Sequence, residues 1–270
     1  MFLESIEKVT NVLNETHGAS EGAQHGSSVA DEIMHHMADP VIFEFHPFGL
    51  DLSVTKHIVM MWIAALIVIL LFRLSFRKKE LVPKGFSNIL ESLILFIRDE
   101  IVYASFGKAG KSYVPYFLTL FFFILTMNLL GLVPYAATAT SNISVTAALA
   151  TISFIVIQAS GIKKKGLKNY LKEIVPGGVP FWLIPIMIPV EVIGMFTKPF
   201  ALAVRLFANM TGGHVVLLAL FGLLTSFFLA PVALFPLAIS ILELLIAFIQ
   251  AYIFTFLTAV FTSMNMQEGH

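Results

Sequence analysis

The chain has 270 residues, of which 57% are hydrophobic and 13% charged, with no cysteine, and its mean hydropathy is +0.87. Soluble domains average about 25% charged residues, so the composition excludes an ordinary soluble domain, and the missing cysteines exclude disulfides, thiolate nucleophiles and cysteine zinc sites. Seventeen basic residues balance seventeen acidic ones, which removes the overall basic bias of nucleic-acid binders. The balance hides a split: residues 1–51 carry nine acids and one base, so the remainder is net basic.

Residues 1–45 form an acidic, polar N-terminal tail without the sustained apolar run of a cleavable signal peptide. Its histidines (His17, His25, His35 and His36, with His46 just beyond) are scattered and read as part of a solvated tail rather than a metal site. Residues 46–270 read as a single membrane domain. A span needs about 20 mostly apolar residues, and the first runs over about 56–74, with Lys56 and Arg73 able to snorkel at its ends. Next comes a stretch at about 84–105 that places Phe86, Ile89, Leu90, Leu93, Ile94, Ile97 and Ile101 on one face, with Ser87, Asn88, Glu91, Arg98 and Asp99 opposite. This 3.6-residue pattern predicts an amphipathic helix lying on the membrane surface.

Ser112 to Ile162 is 51 residues without Asp, Glu, Lys or Arg, too long for one crossing. It divides at the Pro134–Asn142 stretch, whose turn-forming residues suit an interfacial bend, giving spans at about 115–133 and 143–161. Beyond it, Ile174 to Gln267 contains only Glu191, Lys198, Arg205 and Glu243 as charged residues, plus His214. One strong break, Ala230–Pro236, separates two long helices at about 181–229 and 234–264. The first is too long to stand upright in a bilayer, so it is tilted, bent near Pro185, Pro189 or Pro199, or split. The fold class is therefore an all-α integral membrane protein of five membrane helices, the last two long, tilted and forming a hairpin, plus one surface helix.

Orientation follows from basic short loops. Arg73, Arg77, Lys78, Lys79 and Lys84 follow the first span, and Lys163, Lys164, Lys165, Lys168 and Lys172 follow the third. Both loops are expected on the cytoplasmic side, with the N-terminal tail outside and the C-terminus inside.

Each charge left within a membrane helix costs roughly 2.5 to 3.5 kcal/mol on insertion scales. Glu191, Lys198 and Arg205 are seven residues apart, so they share a helical face, and Asn209 stays on it. On the last helix Glu243 and Gln250 are again seven apart. Arg205 cannot discharge by losing a proton and must meet a carboxylate, backbone carbonyls or water, a structural pair with Glu243 being the bland reading. His214 and Glu243 both exchange protons and, on neighbouring antiparallel helices, form a plausible relay. Phosphate-loop, HExxH and G-x-S-x-G motifs are absent, and no cofactor or metal is implied.

The stretch KPFALAVRLFANMTGGH around Arg205, with ELLIAFIQAYIFTFLTAVF near the C-terminus, resembles subunit a of F-type ATP synthases. EFHPFGL before the first span and LTLFFFILTMNLLGLVP in the second are also similar to that family, whereas residues 1–40 have no recognisable counterpart. The resemblance implies a stator beside a rotating ring of c subunits, with subunit b and the remaining subunits of the complex as further partners. It implies that Arg205 is the essential charge facing the ring carboxylate and separates two offset proton half-channels. Asn209, His214, Glu243 and Gln250 would line the half-channel open to the outside, and Glu191 would lie on the cytoplasmic side. The long helices would then follow the curved side of the ring, with Ala201, Ala208, Gly212 and Gly213 allowing close approach. The expected membrane is a bacterial plasma membrane. Two other readings are a self-contained proton-coupled secondary transporter, which the lack of an internal repeat disfavours, and a non-transporting scaffold whose charges only hold helices together.

Overall fold

A computed structural model describes residues 41–43, 54–75, 85–132, 139–173, 181–227 and 234–267. The N-terminal residues 1–40, most of the Pro134–Asn142 bend and residues 230–233 of the final break lie outside the described residues.

A short antiparallel ribbon, β1 (Val41–Phe43) and β2 (Val54–Thr55), precedes the first helix. It is a small addition to otherwise helical elements among the described residues. Helix α1 (Lys56–Ser75) is the first span. Helix α2 (Phe86–Phe96) continues into a π-helical stretch, Ile97–Tyr103, so the amphipathic segment forms over the expected range. Its apolar face is divided between two surroundings. Leu90, Ile97, Ile101 and Val102 are buried against the protein, while Phe86 and Ile89 are exposed.

The second and third spans are α3 (Val114–Gly131) and α4 (Ile143–Lys165). Pro115 occupies the first turn of α3, where its missing N–H is not needed. Asn142 caps α4, its side chain accepting from the Ser144 amide at 2.8 Å. Gly166, at φ 78°, ends α4 in a left-handed conformation that favours glycine. The chain then enters a short helix that the sequence pattern did not announce, α5 (Leu167–Glu173).

The long segment is neither split nor interrupted. Helix α6 (Ile184–Phe227) runs 44 residues with Pro189 and Pro199 inside it, and α7 (Leu234–Met266) runs 33. Among the described residues, five helices are long and apolar enough to cross a membrane. Helix α7 lies between α3 and α4, α1 packs on α3, and α6 lies against both α4 and α7. The core is aromatic and close-packed: Phe117, Phe121, Ile124, Leu206 and Phe254 are fully enclosed, and Phe121 meets Phe122 and Phe248 edge to face. Ala247, Ala251 and Ala259 are fully buried on α7, the small-residue packing by which membrane helices approach without a hydrophobic driving force. Thr255, Thr258 and Thr262 satisfy their buried hydroxyls on the carbonyls four residues earlier at 2.7–2.8 Å.

Candidate functional site

Helices α6 and α7 form an antiparallel pair whose register can be followed through three contacts. The Lys198 ammonium lies 5.3 Å from the centre of the Phe261 ring. Further along, Asn209 Nδ2 donates to Gln250 Oε1 at 2.6 Å. Beyond that, Glu243 Oε1 lies 2.6 Å from the position a Cβ on Gly213 would occupy. Residues rising along α6 thus meet residues descending along α7, and every polar residue singled out on α7 faces a polar or glycine position on α6.

The shared face predicted for α6 is observed. Glu191, Lys198, Arg205 and Asn209 are all exposed on it, whereas Leu202 and Leu206, on the other side, are buried. Gln250 and Glu243 on α7 are buried at 2% and 7% exposure. Asn209 is the residue that brings the two helices' polar sets together, because it alone bonds across from the exposed face to buried Gln250.

Arg205 is the exception to this pairing. It lines a shallow, mainly apolar groove with Val190, Ile193, Thr197, Ala201 and Leu257 among its walls. Among the described residues it makes no hydrogen bond or ion pair. The structural pair with Glu243 does not form, and the register gives the reason. Glu243 sits at the level of Gly213, eight residues along α6 from Arg205, or about 12 Å of axial rise. Leu257 of α7 lines the same groove as Arg205.

Glu243 is enclosed, and neither carboxylate oxygen has a hydrogen-bond partner among the described residues; the nearby Thr211 hydroxyl is also unpartnered. A buried polar atom without a partner costs roughly 1–3 kcal/mol. Gly213, the neighbour of His214 on α6, is the residue against the Glu243 carboxylate. The side chain of His214 lies outside the described residues. Gly213 also differs from its expected place. It turns toward Glu243, whereas Ala201, Ala208 and Gly212 are exposed, and Gly212 has open space where a side chain would stand.

Glu191 and Lys198 line a second, more polar cleft, whose other walls are Gln158 and Lys165 of α4, Tyr170 of α5, and Asn265 of α7. Sequence spacing did not single out Gln158, Tyr170 or Asn265, because each is a lone polar residue on a different helix and only packing brings them together. Among the described residues no cluster of metal-ligating side chains occurs.

A family model described as ATP synthase A chain matches residues 58–263. The chain is 53% identical over 229 residues to ATP synthase subunit a of Myxococcus xanthus, an overlap of 82% of this chain and 75% of the relative. It is 47% identical over 261 residues to ATP synthase subunit a of Chloroherpeton thalassium, covering 88% and 78%. With ATP synthase subunit a of Chlorobium phaeobacteroides the identity is 44% over 274 residues, covering 93% and 80%. An exposed intramembrane arginine, a buried polar seam behind it and a match across four-fifths or more of the chain therefore converge: the chain belongs to the ATP synthase A chain family.

Proposed function

We propose that His214, Glu243, Asn209, Gln250 and Glu191 carry protons past this chain to and from a ring of c subunits turning against α6, with Arg205 as the essential charge facing the ring carboxylate. The chain is the proton-channel subunit of the membrane sector, a translocating component without catalysis of its own. In this reading a proton enters from outside along the seam of His214, Glu243, Asn209 and Gln250 and neutralises a ring carboxylate, which can then rotate into lipid. After a turn of the ring the carboxylate returns, releases its proton on the cytoplasmic side near Glu191, and is attracted to Arg205 in its charged form. The guanidinium cannot release a proton, so it blocks direct passage between the two half-channels while pairing with each arriving carboxylate. Reversal pumps protons outward.

The observation that carries this reading is the contrast at Arg205, an exposed cation with no partner among the described residues, one turn before Asn209, which is mated across the hairpin. An unpaired charge at the surface of a membrane helix is costly, and a carboxylate brought by a second molecule is one way to compensate it. The ring, subunit b and the remaining subunits of the complex are the proposed partners. The bacterial plasma membrane is the proposed location, with the tail outside and the basic loops in the cytoplasm.

Replacing Arg205 by Ala is expected to abolish ATP-driven proton pumping in membrane vesicles, and normal pumping would overturn the assignment. A self-contained secondary transporter is not favoured, because the family assembles as one subunit of a larger machine.

A further inference from the structure

The last turn of α7 is held from two sides. Ser263 donates to the Ser105 carbonyl at 2.5 Å. Opposite, Asn265 Nδ2 donates to the Ile157 carbonyl of α4 at 2.9 Å and to Gln158 Oε1 at 3.3 Å. The Tyr170 hydroxyl of α5 donates to the same Gln158 oxygen. Gly161 makes this approach possible: a Cβ there would stand 2.7 Å from Asn265 Nδ2 and 3.1 Å from the Asn265 carbonyl oxygen, so α4 and α7 can meet this closely only at glycine. Two donors from two helices thus converge on one amide oxygen of a third.

These three residues form one wall of the cleft that holds Glu191, Met195 and Lys198 of α6. Ring contacts join α6 to both neighbours, Phe154 to Phe196 at 5.1 Å and Lys198 over Phe261 at 5.3 Å. We propose that Asn265, Gln158 and Tyr170 are positioning residues that hold this cleft open toward water, so that a proton leaving the ring passes Glu191. The inference rests on the exit role proposed for Glu191. Its physical basis is the shared acceptor. While Gln158 Oε1 takes both donors, the wall is polar yet internally satisfied. Without it, the Tyr170 hydroxyl needs another acceptor while the Asn265 amide keeps only the Ile157 carbonyl, and the carboxylate lining the cleft is that of Glu191. Turning toward it, they close the path.

The chain contains no cysteine, so Met195→Cys places a single thiol in the chain, on the cleft wall. In the assembled complex, Gln158→Leu and Asn265→Leu are expected to slow the reaction of that thiol with a water-soluble maleimide by roughly threefold or more. In the Met195 background the same two variants are expected to lower the passive proton conductance of vesicles stripped of the catalytic sector by a similar factor. Gln158→Glu, whose carboxylate accepts from both donors, restores both readouts. A merely structural role would reduce the amount of assembled complex and leave labelling per complex unchanged. Unchanged or faster labelling in Gln158→Leu overturns the proposal. Where the leucine variants do not assemble, Tyr170→Phe removes one hydrogen bond at constant shape; about twofold slower labelling is expected, and none overturns it. Glu191→Gln alone separates the two layers of the argument. Intact conductance in that variant removes the exit role and the clasp with it, whereas reduced conductance there beside normal clasp variants removes only the clasp.

Discussion

Helices α3 and α6 are both apolar enough to span a membrane, yet 44% of the spanning window of α3 is buried within the chain and only 17% of that of α6. On α3 the polar residue is mated: Asn128 is fully enclosed, donates to the Ala247 carbonyl at 3.2 Å and accepts from Thr140 at 2.9 Å. On α6 the charged residues Glu191, Lys198 and Arg205 are all exposed, and Arg205 has no hydrogen bond or ion pair among the described residues. The difference separates two uses of polarity in a membrane helix. A polar group that finds its partner in the same chain fixes a helix pair, whereas one left on the outer face prepares a surface for another molecule.

Substitutions on the outer face of α6 test function without testing the fold, and the largest effect is expected at Arg205. Arg205→Lys keeps a cation but loses the planar fork and gains the ability to deprotonate. Pumping by vesicles is expected to fail or to leak protons at rest, and tight, coupled pumping by this variant would remove the argument from guanidinium chemistry. Next comes Glu243→Gln, which removes an exchangeable proton at a buried position. It is expected to impair ATP-driven pumping more than Gln250→Ala, and equal, negligible effects would show that neither side chain lines the path.

Gly213→Ala places a Cβ 2.6 Å from Glu243 Oε1, closer than two such atoms can stand, so the carboxylate must shift. Pumping is expected to fall severalfold while the complex assembles normally, and Gly212→Ala, with open space at that position, is expected to leave pumping near its normal rate. A reversed order of the two glycine variants would show that the α6 and α7 register is other than described. The smallest effects are expected on stability. Asn128→Leu removes two buried hydrogen bonds and leaves the Ala247 carbonyl without that donor, a loss of roughly 1–3 kcal/mol readable as a lower unfolding midpoint in detergent. Ile193→Ala, on the exposed face of α6, is expected to leave that midpoint unchanged, and a shift as large as that of Asn128→Leu would erase the distinction between the two helices.

Much of the architecture was legible because the bilayer imposes lengths and forbids unpaired backbone. The spans at α1, α3 and α4, the surface segment and the long final pair all follow from runs of uncharged residues and their interruptions. The seven-residue spacing of Glu191, Lys198 and Arg205 likewise sufficed to place them on one face. Other features depended on contacts between segments far apart in sequence. The π turn at Ile97–Tyr103, the division of the α2 apolar face and the inward turn of Gly213 have no local pattern that announces them. Gln158, Tyr170 and Asn265 were missed for the same reason: each is unremarkable on its own helix.

The sequence by itself determined that the chain crosses a membrane, where its crossings lie, and which few ionisable residues bear an insertion cost that demands a reason. Those properties are local, set by hydropathy over about 20 residues and by helical periodicity. Only the tertiary structure decided which of those residues are partnered. It set Asn209 against Gln250 and Gly213 against Glu243, and it left Arg205 exposed in a groove that Leu257 of α7 also lines. Pairing depends on the register between two helices, which no single segment encodes because it is fixed by how small and large side chains interlock across the interface.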